Sequence, residues 1–212
     1  MKDYQQSFLN LALDSKALQF GEFTLKSGRL SPYFFNAANM LNGANLYELA
    51  KCYVDAINDK NLDFDCIYGP AYKGIFLGSI VATLLSEQGK NYPLSFNRKE
   101  EKDHGEGGNI IGANPQGKVL IIDDVLSAGT AGRESIESIK NLNATPSCFI
   151  VGLDRQEKGR SEISSSKELE NDFNIKVESI INLDTLIAFV KNQSEYSVHL
   201  SQLNQYRETW SA

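Results

Sequence analysis

Val119-Leu120-Ile121-Ile122-Asp123-Asp124-Val125-Leu126-Ser127-Ala128-Gly129-Thr130-Ala131 carries the strongest structural signal in the chain. Its first four residues form an unbroken apolar run, the pattern of a strand buried on both faces, as in a parallel sheet covered by helices. Two carboxylates interrupt it. Isolated charges in a core are costly, so Asp123 and Asp124 are expected at the strand's carboxyl end, where open α/β sheets place ligands. Ser127, Ala128, Gly129 and Thr130 are small or hydroxylated and let backbone N–H groups approach an anion. A helical pattern from Ala131 to Leu142 sets those N–H groups at a helix N-terminus. Asp-Asp alone reads as well as a solvated strand end, and Ser-Ala-Gly-Thr alone as a helix cap. Together the thirteen residues describe a two-part grip, acids for sugar hydroxyls and an amide nest for a phosphate, as a ribose 5-phosphate would need.

On either side of this run the pattern alternates. Apolar residues at helical spacing predict helices over 3–19 (ended by Gly21), Asn45 to Ile57, Ile75 to Leu85, Leu183 to Val190, and a tail from Ser194 to Trp210. Strands are expected at Phe64 to Tyr68, Tyr92 to Phe96, Ser147 to Asp154 and Ile175 to Ile181. Phe23 to Asn36 reads as two short β-runs joined by a turn, too small for a domain and suited to capping a site. The 98–109 segment mixes charge with three glycines and no apolar anchor, and reads as a surface loop, as does Gly159 to Ser166. Alternating strands and helices predict an α/β fold with a mainly parallel central sheet flanked by helices. The 212 residues are expected to form one domain, with residues 1–40 contributing a small hood.

Composition narrows the function. A net charge of −6 argues against general nucleic-acid binding, which needs a broad basic surface. No apolar stretch reaches membrane-span length, and the N-terminus lacks a signal peptide's plan, so a cytoplasmic location is expected. Cys52, Cys66 and Cys148 have no paired spacing and are expected as free thiols. His104 and His199 have no ligand-like spacing, and His199 is expected to be structural.

The strand-acid-acid-Ser-Ala-Gly-Thr run resembles the phosphoribosyl pyrophosphate (PRPP) loop of type I phosphoribosyltransferases. Other stretches resemble one branch, the orotate phosphoribosyltransferases. Phe23-Thr24-Leu25-Lys26-Ser27-Gly28-Arg29 with Ser31-Pro32-Tyr33-Phe34-Phe35-Asn36 is similar to that family's hood, Gly69-Pro70-Ala71-Tyr72-Lys73-Gly74 to its pyrophosphate loop, and Arg98-Lys99-x-x-Lys102-x-His104-Gly105 to its catalytic loop. The resemblance implies a pentosyltransferase of pyrimidine (UMP) biosynthesis. Such an enzyme moves ribose 5-phosphate from PRPP to orotate with Mg2+, which is held mainly by PRPP oxygens and water. It implies that Asp123, Asp124, Val125, Leu126, Ser127, Ala128, Gly129, Thr130 and Ala131 bind PRPP, aided by Lys26 and Tyr72. Lys73, Arg98, Lys99, Lys102 and His104 would supply cations and donors at the leaving pyrophosphate. Phe34, Phe35, Lys26 and Ser127 would meet orotate, with Arg155 taking its carboxylate through a bidentate fork. Adjacent strand aromatics point to opposite faces, so at most one of Phe34 and Phe35 touches a ligand side-on. The family is dimeric, its catalytic loop reaching the neighbour's site. Two alternatives stay open at this point: a related transferase using a purine, and a PRPP-sensing regulator.

Overall fold

Residues Val119, Leu120, Ile121 and Ile122 are fully buried, each worth about 1.5–3 kcal/mol of apolar transfer, and the rest of the chain is layered around them. The structure, a computed structural model, describes residues 1–25, 28–98 and 109–212. In chain order the elements are α1 (Asp3–Asp14), β1 (Leu18–Thr24), β2 (Leu30–Phe35), α2 (Gly43–Asp59), β3 (Cys66–Gly69), α3 (Lys73–Glu87), β4 (Leu94–Asn97) and β5 (Ile110–Gly112), followed by β6 (Lys118–Leu126), α4 (Thr130–Asn141), β7 (Thr145–Asp154), α5 (Ser165–Phe173), β8 (Lys176–Asn182), α6 (Leu183–Lys191) and α7 (Leu200–Trp210). The main sheet runs β5-β4-β3-β6-β7-β8, parallel except for the edge strand β5. Its two faces follow the period of the strand. Leu120 and Ile122 join a core with Tyr53 of α2 and Leu77 of α3, while Val119 and Ile121 join Ile136, Ile139 and Leu169 of α4 and α5. The mainly parallel α/β sheet is the expected one.

Four expectations are revised. β6 does not stop at Asp123 but continues to Leu126, with Val125 paired to Leu153 and Leu126 to Asp154; the acids are accommodated inside a strand because Asp124 acquires a cation. α1 ends at Asp14, and Leu18 to Phe20 instead pair with Phe35 to Tyr33, so strand pairing outweighs the helical spacing of Leu18. Gly21 lies within β1, where the register slips between Phe20 and Phe23. The loop expected over 159–166 is exposed only over residues 160–163, and Ser165 and Ser166 already belong to α5. It leads into α5, capped by Ser164, and wraps the Glu168 carboxylate, which accepts from Arg160 N at 2.9 Å and Ser161 N at 2.7 Å. Burial works against that charge, but these bonds together with Ser161 Oγ and Arg133 hold its pKa down to about 2.

β1 and β2 form a separate two-stranded sheet packed by α1 and α7. The His199 ring stacks on Phe20 at 4.9 Å, a structural role as expected. All three cysteines are free and buried. Among the described residues no helix is long and apolar enough to cross a membrane.

Candidate active site

From β3 the chain proceeds to β4 on one side, and from β6 it proceeds to β7 on the other. The direction of winding therefore reverses between β3 and β6, and the crevice outside their carboxyl ends is a topological switch point, where such sheets bind ligands. Two loops leave the sheet there. After β3, Gly69-Pro70-Ala71-Tyr72 turns tightly into α3. A Cβ on Gly69 would sit 2.1 Å from the Gly74 carbonyl oxygen, and one on Gly74 would sit 2.7 Å from that of Ile122, so only glycine fits. The Ala71–Tyr72 peptide is cis, and Ala71 N–H donates to Asn97 Oδ1 at 2.7 Å. Tyr72 is 68% exposed. Lys73 opens α3 and donates from Nζ to Asp124 Oδ2 at 2.6 Å, bridging the two strand ends.

The acid pair is rigidly placed. Asp124 is buried and donates its N–H to Asp123 Oδ1 at 2.9 Å, while the Tyr53 hydroxyl of α2 donates to the Asp123 carbonyl at 2.8 Å. Burial, and then the neighbouring Asp124 carboxylate, push the Asp123 carboxyl up to about 7. Beyond the acids, Gly129 adopts the left-handed conformation at φ 79° that caps α4. Ser165 Oγ donates to the Ser127 carbonyl, and a Cβ on Gly129 would come 3.2 Å from Ser165. Arg133 on α4 pairs with Glu168 at 3.1 Å and Asp172 at 2.5 Å. α5 thus braces the loop from behind while Thr130 and Ala131 stay exposed. Carboxylates beside a helix N-terminus with small residues between them can hold a diol and an anion side by side.

The N-terminal hairpin presents Phe34, 37% exposed and packed on Phe23, while Phe35 is buried against Phe8 at 5.9 Å. The alternation is as expected, and Phe35 can offer a ligand only its backbone. Arg155 follows β7, its N–H bound to the Leu126 carbonyl at 2.9 Å. Its side chain is buried. Nε donates to Glu157 at 2.6 Å, and Nη2 donates to Ser31 at 2.7 Å and Tyr206 at 2.9 Å. With Nε and Nη2 engaged, Nη1 is the guanidinium nitrogen left without a hydrogen bond among the described residues. Lys26, Lys99, Lys102 and His104 lie outside the described residues. Arg98 is described, and its N–H donates to the Asn109 carbonyl at 2.8 Å, closing the base of that segment.

A model of the phosphoribosyl transferase domain matches residues 37–180. An orotate phosphoribosyltransferase from Marinobacter nauticus is 51% identical over 210 residues, covering 99% of each chain. The chain belongs to the orotate phosphoribosyltransferase family. An orotate phosphoribosyltransferase from Escherichia coli is also 51% identical, covering 98% of each chain. The crystal structure of the orotate phosphoribosyltransferase from Francisella tularensis matches with a TM-score of 0.85 at 40% identity over 97% of this chain and 99% of that one. An adenine phosphoribosyltransferase from Leishmania donovani, at 15% identity and a TM-score of 0.56, shares the fold alone. The domain model begins after the hairpin, whereas the orotate phosphoribosyltransferase relatives span it. In this member of the family the sequence left four supporting residues unread: Tyr53, Asn97, Glu157 and Ser165. Asn97 and Glu157 sit one and two residues from arginines already singled out, and that proximity was the available signal.

Proposed function

We propose that this chain transfers ribose 5-phosphate from PRPP to orotate, giving orotidine 5′-monophosphate and pyrophosphate in pyrimidine biosynthesis. The observation that carries this reading is the Lys73–Asp124 bridge across the switch-point crevice, beside the braced N-terminus of α4. Asp123 and Asp124 hold the ribose hydroxyls, and the Ser127 to Ala131 turn holds the 5′-phosphate. As the C1′ bond to pyrophosphate breaks and the bond to the orotate ring nitrogen forms, positive charge develops on the sugar and negative charge on the leaving group. Lys73 and Arg98, with Lys26, Lys99, Lys102 and His104, stabilise the leaving pyrophosphate, and Tyr72 lies beside it. The part the family resemblance gives the 98–109 segment, of which residues 99–108 lie outside the described ones, is to exclude water from the oxocarbenium-like centre. Phe34, the Phe35 backbone and Ser127 border orotate, and Nη1 of Arg155 takes its carboxylate.

Among the described residues no group of three or more His, Cys, Asp or Glu could hold a metal unaided. The hard oxygens of Asp123 and Asp124 fit an outer role around magnesium carried by PRPP and water. When bound, magnesium neutralises the leaving pyrophosphate. The enzyme acts in the cytoplasm as a homodimer, a state favoured by exposed Leu41, Tyr47 and Tyr72 around the first turns of the neighbouring α2 and α3.

Orotate absorbance should fall only when PRPP and magnesium are both supplied, with adenine and hypoxanthine as inactive acceptors. Absence of turnover by folded protein would overturn the assignment.

A further inference from the structure

Behind the acceptor side lies a buried cluster drawn from three separate parts of the chain. Glu157, 1% exposed, accepts from Arg155 Nε at 2.6 Å on one oxygen and from Arg29 Nη1 at 2.7 Å on the other. The Tyr206 hydroxyl of α7 also donates to Glu157. Burial, together with that bond, pushes this hydroxyl up to about 12, so it remains a donor. Tyr206 and Ser31 accept from Nη2 of Arg155, and the Tyr33 ring covers the guanidinium at 4.1 Å. The end of α7 is tied to the same loop, for Lys158 N–H donates to the Trp210 carbonyl at 2.8 Å and Glu157 bridges to Ser211.

A buried ion pair is a poor device for stability alone, because desolvating both ions offsets most of their attraction. What this one does well is fix direction. Glu157 and Tyr206 hold two of the three guanidinium nitrogens, and the ring of Tyr33 fixes the plane. Two arginines on one glutamate also leave the cluster with a net charge of +1, suited to an anionic acceptor. We propose that Glu157 and Tyr206 are positioning residues for acceptor selection, fixing Arg155 so that Nη1 faces the acceptor's carboxylate. The C-terminal helix thereby contributes to substrate choice. This rests on the reading that Arg155 meets that carboxylate.

The test uses the full chain and steady-state kinetics for both substrates. Glu157→Gln should raise the KM for orotate about tenfold while the KM for PRPP stays within about twofold. Tyr206→Phe keeps the ring in place and should show the same selectivity, and it decides the matter if Glu157→Gln does not fold by circular dichroism. A merely structural role predicts a lower melting temperature with both KM values moving together or neither moving, and either pattern would overturn the proposal. Arg155→Met separates the two ideas: if it leaves the KM for orotate unchanged, the Arg155 reading itself fails. If it raises that KM while the folded Glu157 and Tyr206 variants do not, only the positioning role fails.

Discussion

Asp123 combines a strand position with a charge that the strand does not welcome. Its carboxyl is held above the ordinary value of 3.8, up to about 7. A carboxyl with a raised folded-state pKa binds its proton more tightly in the folded chain than in the unfolded one. Its contribution to stability is therefore greatest below 3.8 and is lost as pH rises through about 7. Glu168 has the opposite sign, adding stability above 4.5 and losing it as pH falls toward about 2. Asp123→Asn should thus flatten the fall in stability of the ligand-free chain between about pH 4 and 7, read by urea unfolding at several pH values. An unaltered slope would mean that the acid pair keeps its proton elsewhere. PRPP has a matching opportunity, since ribose hydroxyls donating to Asp123 favour the charged form that burial disfavours. On the proposed reading, ribose binding would relieve the electrostatic tension of the ligand-free acid pair.

The elements that were legible in the sequence are those whose signal is local. An apolar run followed by two acids and a small-residue turn fixes β6, its loop and the start of α4 without reference to anything distant. Other elements depend on partners far along the chain. The first part of β1, from Leu18, was not read because its pairing with β2 competes with helical spacing, and α5 was not read because its anchor, Glu168, closes on residues that look like loop. The Arg155 surroundings were unreadable for the same reason, since Ser31 and Tyr206 are 124 and 51 residues away. The Gly69/Gly74 contact is a packing requirement hidden in what resembles a nucleotide-binding loop. A Cβ on Gly74 would meet Pro70, Ile122 and Gly69 at 2.5 to 2.8 Å. Gly74→Ala should therefore destabilise by about 1–3 kcal/mol, seen in thermal melting. By shifting Lys73 against Asp124 it should also raise the KM for PRPP. An unchanged melting point would show that the turn can relax around the methyl group.

At the scale of the whole molecule, the 98–109 segment departs from the sheet edge between β4 and β5. If a neighbouring subunit supplies that segment, Lys73→Ala and Lys102→Ala fall in different subunits of one shared site. Mixing the two inactive variants should restore about a quarter of wild-type activity, because half of randomly exchanged dimers would hold one intact site of two. No recovery after subunit exchange would place Lys102 in the site of its own chain. The 37–180 core matched by the domain model carries the loop between β6 and α4, and the hairpin, enclosed by α1 and α7, lies outside it.

One consequence of that enclosure is optical. Trp210 is the only tryptophan in the chain, and it sits half-buried at the end of α7, with the Arg29 guanidinium of the hairpin 4.9 Å from its ring centre. A charge over the indole face changes its surroundings, so displacement of the hairpin from the helix is expected to alter the fluorescence of the unlabelled protein. The chain carries its own gauge of the contact between the hairpin and α7.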